Sequence, residues 1–339
     1  MAVTMADVAR RAGVSPKTVS NVLNDRYPYI RPETRTRVLA AVEDLGYRLN
    51  TSARALRTNR TGVIGLALPE LRAPYFAELA DEVFRAARDA GLRVVVEHVD
   101  PEPHVPVDHM AGAGAQGLDG ALIAPASRAD VALETAPPGF PIVALGDRRL
   151  EGDVDQVFLA NEQGARLAVE HLLDIGRSRI ALLGADPRGR IGNAAERTAG
   201  YCAVLVEHDL PVEDALMLPA EGWTTADGAD ALEAAISAET RFDAVFALSD
   251  SLALGALSAL HRRGMIVPDD VAVVGFDGID LARYAVPSLT TVSVDRRSTA
   301  RAAVDLLLRR LGADAADRPP SAVEIETELI IRDSSRSES

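Results

Sequence analysis

TMADVARRAGVSPKTVSNVLN, residues 4–24, reads as two short helices joined by a tight turn. Thr4 and Asp7 have the spacing of a helix cap and its third position. Ala9 is small where two helices must cross closely, and Gly13 supplies the backbone freedom that the turn needs. Ser15 before Pro16 is an N-cap followed by proline at the first helical position, and Val19 and Val22 are the apolar pegs of the second helix. A third helix is expected from Pro32, with Val38, Leu39, Val42 and Leu45 as its apolar face and Gly46 as its C-cap. The sequence therefore predicts a three-helix helix-turn-helix head with a small core.

A second helix of this kind lies in the major groove with its N-terminal residues on base edges. Pro16, Lys17 and Asn21 are then the base readers, since lysine donates to guanine O6 and N7, asparagine bonds an adenine edge, and proline offers apolar contact. Ser15, Thr18, Ser20 and Asn24 are placed for phosphate, and Thr4 at the start of the first helix joins the DNA-facing set. Charge agrees with this. Residues 1–60 hold eleven Arg or Lys against five Asp or Glu, although the whole chain has 36 against 50 and a formal net charge of −14. A basic head on an acidic body confines any approach to a polyanion to the head.

NTSARALRTNR, residues 50–60, forms the linker. Ala53, Arg54, Ala55 and Leu56 favour helix, but the stretch is too short to be helical alone, so a hinge helix that folds on DNA is expected. Leu56 then acts as an apolar wedge between base steps from the minor groove, with Arg54 and Arg57 on phosphates or the groove floor and Ala53 beside them. The other reading is a flexible tether with Leu56 packed on the next domain.

These stretches, with LGY, TGVIGLALPELRAPYFAEL, HLLDIGRSRIALLG, ERTAGY, FALSDSLALGAL and VPDDVAVVGFDGIDLARYAVPSLTTVSVD, resemble the lactose-repressor and galactose-repressor family of bacterial transcription regulators. The resemblance runs over nearly the whole chain. It implies an α/β body of two lobes, like periplasmic binding proteins, and a homodimer on pseudo-palindromic operator DNA. It also implies a small-molecule effector, for which release of DNA is the expected sign and promotion of DNA binding the alternative.

Read by periodicity alone, the body has buried-strand runs at 63–68, 93–99, 121–124, 142–145, 179–183, 244–248 and 271–275. Helical stretches such as 77–90, 162–175 and 251–263 fall between them. Alternation of this kind gives parallel sheets covered on both faces, and the length calls for two lobes. The expected division is a head and hinge at 1–60, a first lobe at about 61–160 and 296–322, and a second at about 161–292 and 323–333. Crossovers are expected at 161–164, 291–295 and 324–331.

Ligands bind beyond the carboxyl ends of such strands. Asp147, Ser249, Asp250 and Asp277 stand at those ends, Arg197 lies in AERTAGY, Trp223 in AEGWTTAD, and Tyr75 with Phe76 opens a helix. Acids, an arginine and flat aromatic faces suit a polyhydroxylated ring. The resemblance puts Asp277, Arg197, Trp223, Tyr75 and Phe76 at the effector, and Asp147 and Ser249 less specifically. Asp277 is expected to have no neighbour that its loss would orphan, and Asp250 to be a helix cap or turn former. Ile191 stands where purine-binding members carry arginine, which argues against a purine.

DPEPHVPVDHMAGAGAQ, residues 100–116, has three prolines where relatives carry a helix. His98, His104, Asp108 and His109 match no zinc spacing, and no metal or cofactor is expected. Cys202 is the sole cysteine, and no leader or long apolar run is present, which fits a reducing cytoplasm and no membrane partner. Neither a phosphate-binding loop nor a nucleophile elbow occurs, so an enzyme is not expected. A contrasting reading is a sugar-binding or sugar-processing protein with an incidental helical N-terminus.

Overall fold

The computed structural model describes residues 3–23, 30–47, 60–98, 117–124, 140–146, 154–185, 192–220, 222–312 and 318–336. The chain divides into two compact units, Met1–Thr61 and Gly62–Ser339.

The head unit holds α1 (Met5–Ala12), α2 (Pro16–Leu23) and α3 (Pro32–Asp44). Thr4 and Asp7 close a capping box on α1, each side chain meeting the other's backbone N–H. Gly13 takes the left-handed conformation, φ 66°, which turns the chain toward α2. Val8, Ala9, Ala12, Val19, Val22, Val38 and Ala41 form the buried core. Leu39 does not join it: it is 45% exposed, and Ala41 is buried instead. Each helical residue turns about 100° from the last, so with Val38 pointing inward the inward row continues to Ala41 and Val42 and carries Leu39 outward.

The body unit has two six-stranded sheets. The first has the order β11-β5-β4-β3-β1-β2, made from β1 (Val63–Leu68), β2 (Arg93–His98), β3 (Ala121–Ile123), β4 (Ile142–Gly146), β5 (Asp155–Leu159) and β11 (Ala322–Ile325). The second has the order β12-β10-β9-β8-β6-β7, from β6 (Ile180–Leu183), β7 (Met217–Leu218), β8 (Ala244–Ala247), β9 (Ala272–Asp277), β10 (Thr290–Val294) and β12 (Thr327–Ile330). Both sheets are parallel except for the antiparallel edge pair β10–β12. Alternate residues of β6 serve separate cores: Ile180 and Leu182 join a cluster that also contains the first sheet's Ile64, Leu66 and Val143, while Ala181 and Leu183 face a second cluster. Burial on both faces explains why β1, β6 and β8 read as continuous apolar runs, whereas β2, read the same way, leaves Val95 52% exposed.

The chain crosses between sheets three times. It leaves the first after β5, at the start of α5 (Asn161–Asp174), which packs on the second sheet. It returns after Val294 into α10 (Arg296–Arg310), which packs on β3, β4, β5 and on α4 (Pro74–Asp89). It crosses again between β11 and β12. The sequence-expected lobe boundaries shift accordingly: the second lobe keeps Thr290–Val294, and the first keeps Ala322–Ile325, which pairs with β5.

β5 escaped periodicity because it buries polar residues. Asp155 accepts from Ser321 N at 2.8 Å and is also bonded by Arg310, so its carboxylate sits inside the sheet fully partnered.

Candidate functional site

In the head, α2 buries Val19 and Val22 and leaves Pro16 and Lys17 exposed, with Ser20 and Asn21 half-exposed beside them. The Ser15 hydroxyl accepts from Thr18 N at 3.1 Å and lies 2.9 Å from the Thr18 hydroxyl, so Ser15 caps α2. Thr4 donates to Asp7 at 2.6 Å, and this bond, with the backbone N–H of Thr4 and the nearby Arg10, holds the Asp7 carboxyl below its ordinary range. Arg10 pairs with Asp7 at 2.8 Å and Arg11 with Asp44 at 3.0 Å. Asn24, Ala53, Arg54, Leu56 and Arg57 lie outside the described residues.

In the body, the polar centre forms where second-sheet strands end. α6 (Asn193–Glu207) carries Arg197, which is 2% exposed. Its Nε donates to Asn161 Oδ1 at 2.8 Å, and its Nη1 donates to the Leu248 carbonyl and to Asp277 Oδ1 at 3.4 Å. The guanidinium lies 3.6 Å from the Phe276 ring centroid and 5.6 Å from that of Trp223. A cation over aromatic faces is attracted by the ring quadrupoles, and here the rings flank the guanidinium. Gly200, one turn further on, permits this approach: a Cβ there would fall 2.4 Å from the Glu162 carbonyl of α5, so α6 lies close enough for Arg197 to reach Asn161.

Asp277 ends β9 with φ 115°, a conformation that L-residues rarely adopt. Burial pushes its carboxyl up to about 6, against the pull of Arg197, Arg296 and the Asp250 N–H at the start of α8 (Asp250–Arg262). Asp277 is therefore not free of neighbours. The expectation that its loss would orphan nothing is overturned, because Arg197 is bonded to it inside the protein. Asp250 is fully buried; its carboxylate accepts from Thr291 Oγ1 at 2.6 Å and from Ile279 N at 2.9 Å, so it ties the Asp277 turn to β10. Burial, and then the Asp277 carboxylate, push its pKa well above the usual range.

Ser249 caps α8, its hydroxyl accepting from Leu252 N at 3.2 Å. Trp223 precedes α7 (Thr225–Ser237) and is half-buried against both core clusters, as is Tyr75 at the start of α4. Tyr75 and Phe76 meet edge to face, 5.3 Å between centroids. Asp147, Ile191 and residues 100–116 lie outside the described residues, His104, Asp108 and His109 among them. Among the described residues no group of His, Cys, Asp or Glu is arranged to hold a metal ion, and no helix is long and apolar enough to cross a membrane.

Sequence reading missed Phe276, Glu78 and Arg296, and knew Asn161 only as a crossover. Phe276 was legible as the residue before Asp277. Glu78 and Arg296 join the site through contacts far apart in sequence, which no local pattern marks.

Two family models match: the bacterial regulatory proteins of the lacI family over residues 4–50, and the periplasmic binding protein-like domain over residues 169–335. The ribose operon repressor of Halalkalibacterium halodurans is 32% identical, with 98% of this chain and 97% of that protein covered. A solved LacI-family regulator from Sanguibacter keddieii DSM 10542 is 43% identical over 81% of this chain and 98% of its own, with a TM-score of 0.74. The lac repressor dimer bound to operator and the anti-inducer ONPF is 27% identical over 99% of this chain and 100% of its own, with a TM-score of 0.79. These relatives are transcription regulators rather than enzymes. A helix-turn-helix head on a two-sheet body, matched from end to end by a repressor, places the chain in the lacI family of bacterial transcription regulators.

Proposed function

We propose that this chain is a homodimeric repressor that binds a pseudo-palindromic operator through Pro16, Lys17 and Asn21 in the major groove and Leu56 in the minor groove, and that a sugar-like effector releases it. Lys17 and Asn21 carry direct readout, while Thr4, Ser15, Thr18, Ser20 and Asn24, with Ala53, Arg54 and Arg57 of the hinge, hold the backbone. A two-fold operator calls for a two-fold protein.

The observation that carries the effector half is Arg197: a buried guanidinium pinned between Asn161, the Leu248 carbonyl and Asp277, with Phe276 and Trp223 against it. A preorganised donor beside an acceptor suits neighbouring hydroxyls, and aromatic faces suit the C–H face of a ring. Tyr75 and Phe76 of the first lobe are proposed as further effector contacts, with Ser249 and Asp147 assigned to the effector from the sequence alone. The effector shifts operator affinity by the ratio of its affinities for the two lobe arrangements, and the effect is reciprocal.

Selection from a random DNA library with the full chain, followed by thermal shift against a panel of sugars and nucleosides, tests this. A palindromic consensus is expected, and a true effector at about 100 times its Kd adds about 2.7 kcal/mol of stability. A library with no enriched half-site would refute the operator reading, and a panel in which only nucleosides stabilise would refute the sugar.

A further inference from the structure

Asp277 and Gly278 both take positive φ, 115° and 68°, and such a turn persists only where its surroundings hold it. Two side chains from first-lobe helices do so. Arg296, the first residue of α10, donates from Nη1 to the Asp277 carbonyl at 2.6 Å and from Nη2 to the Gly278 carbonyl at 2.8 Å. Glu78, in the first turns of α4, pairs with the same Nη2 at 2.9 Å and accepts at 3.0 Å from the N–H of Asp280, the first residue of α9 (Asp280–Tyr284). The Arg296 and Glu78 side chains are only 14% and 24% exposed, so solvent screens this pair weakly.

We infer that Arg296 and Glu78 are positioning residues that clamp the Asp277–Asp280 turn of the second lobe to α4 and α10 of the first. The planar fork of arginine suits this task, because it spans two adjacent carbonyls and still faces a carboxylate. A change in the angle between lobes pulls α4 and α10 against the turn, and the turn carries the Asp277 carboxylate. The clamp thus makes the geometry of the Arg197–Asp277 centre depend on lobe arrangement. Its regulatory meaning rests on Asp277 being an effector ligand; its positioning role does not.

Amide hydrogen exchange on the full chain without ligand tests it in Glu78→Ala and, separately, Arg296→Lys. Gly278 N donates to Thr291 Oγ1 and Ile279 N to Asp250, so neither amide touches Glu78 or Arg296 directly. If the clamp positions the turn, both amides exchange about tenfold faster in each variant while those of β8 keep their rates. Wild-type rates at Gly278 and Ile279 in either variant, with only the Asp280 amide affected by Glu78→Ala, would overturn the inference. Arg296→Lys keeps the charge and stem, so a change there reports the fork rather than the charge. An Asp277 that proves not to contact effector would leave these rates untouched, so the two readings fail separately.

Discussion

Pro16, Lys17, Ser20 and Asn21 stand on the open face of one eight-residue helix, whereas Arg197, Asp277, Asn161 and the Leu248 carbonyl meet inside the protein from separate elements of the body. Under the proposed function the head keeps fold and recognition apart: Val19 and Val22 hold the helix, and its polar face stays open. Under the same proposal the body uses the same groups for both, because a buried guanidinium must be bonded whether or not a ligand is present. Substitution in the head should therefore alter recognition alone, and substitution in the body should alter stability along with it.

Removing Arg197 should give the largest effect. Arg197→Ala takes one donor each from Asn161, the Leu248 carbonyl and the buried Asp277 carboxylate, which costs about 3–5 kcal/mol. Urea unfolding measures it, and a loss below about 1 kcal/mol would mean that the centre is not structural.

Lys17→Ala and Asn21→Ala should each lose about 1–3 kcal/mol of discrimination at one base position per half-site, while Tm stays put. An unchanged consensus from either variant would remove that residue from the base readers.

Acidity separates the regions next. The Asp277 carboxyl, raised to about 6 in the folded chain, contributes stability that is present below its unfolded value near 4 and is lost as pH climbs through 6. Asp277→Asn, which tolerates the positive φ, should gain Tm relative to wild type as pH rises from about 4 to 7. A flat difference would contradict the buried, raised carboxyl. Asp7 in the head runs the other way, its pKa lowered by Thr4, which donates to it.

Leu39→Ala should do least, within about 0.5 kcal/mol, because Leu39 faces outward from α3. A core-sized loss in thermal unfolding would restore the expectation that Leu39 is buried.

The same contrast governs what could be read beforehand. The head was legible almost residue by residue, since capping, turn and helix periodicity are local; Leu39 was misread because Ala41 is a weaker hydrophobic signal than leucine. In the body, apolar runs exposed β1, β6 and β8, while β5 hid behind buried Asp155 and Gln156. Arg197, Asp277 and Trp223 were found as residue types at strand ends or by motif. What bonds them was not, because the Arg197–Leu248 and Arg296–Asp277 contacts join residues far apart in sequence, on separate elements that no local pattern links.

The most direct measurement is release of operator DNA by the effector that the thermal-shift panel identifies, compared between wild type and Asp277→Asn. The variant should bind operator as wild type does and fail to release it at the concentration that frees wild-type protein. Release by Asp277→Asn at that same concentration would contradict a signal that enters through the Arg197–Asp277 centre.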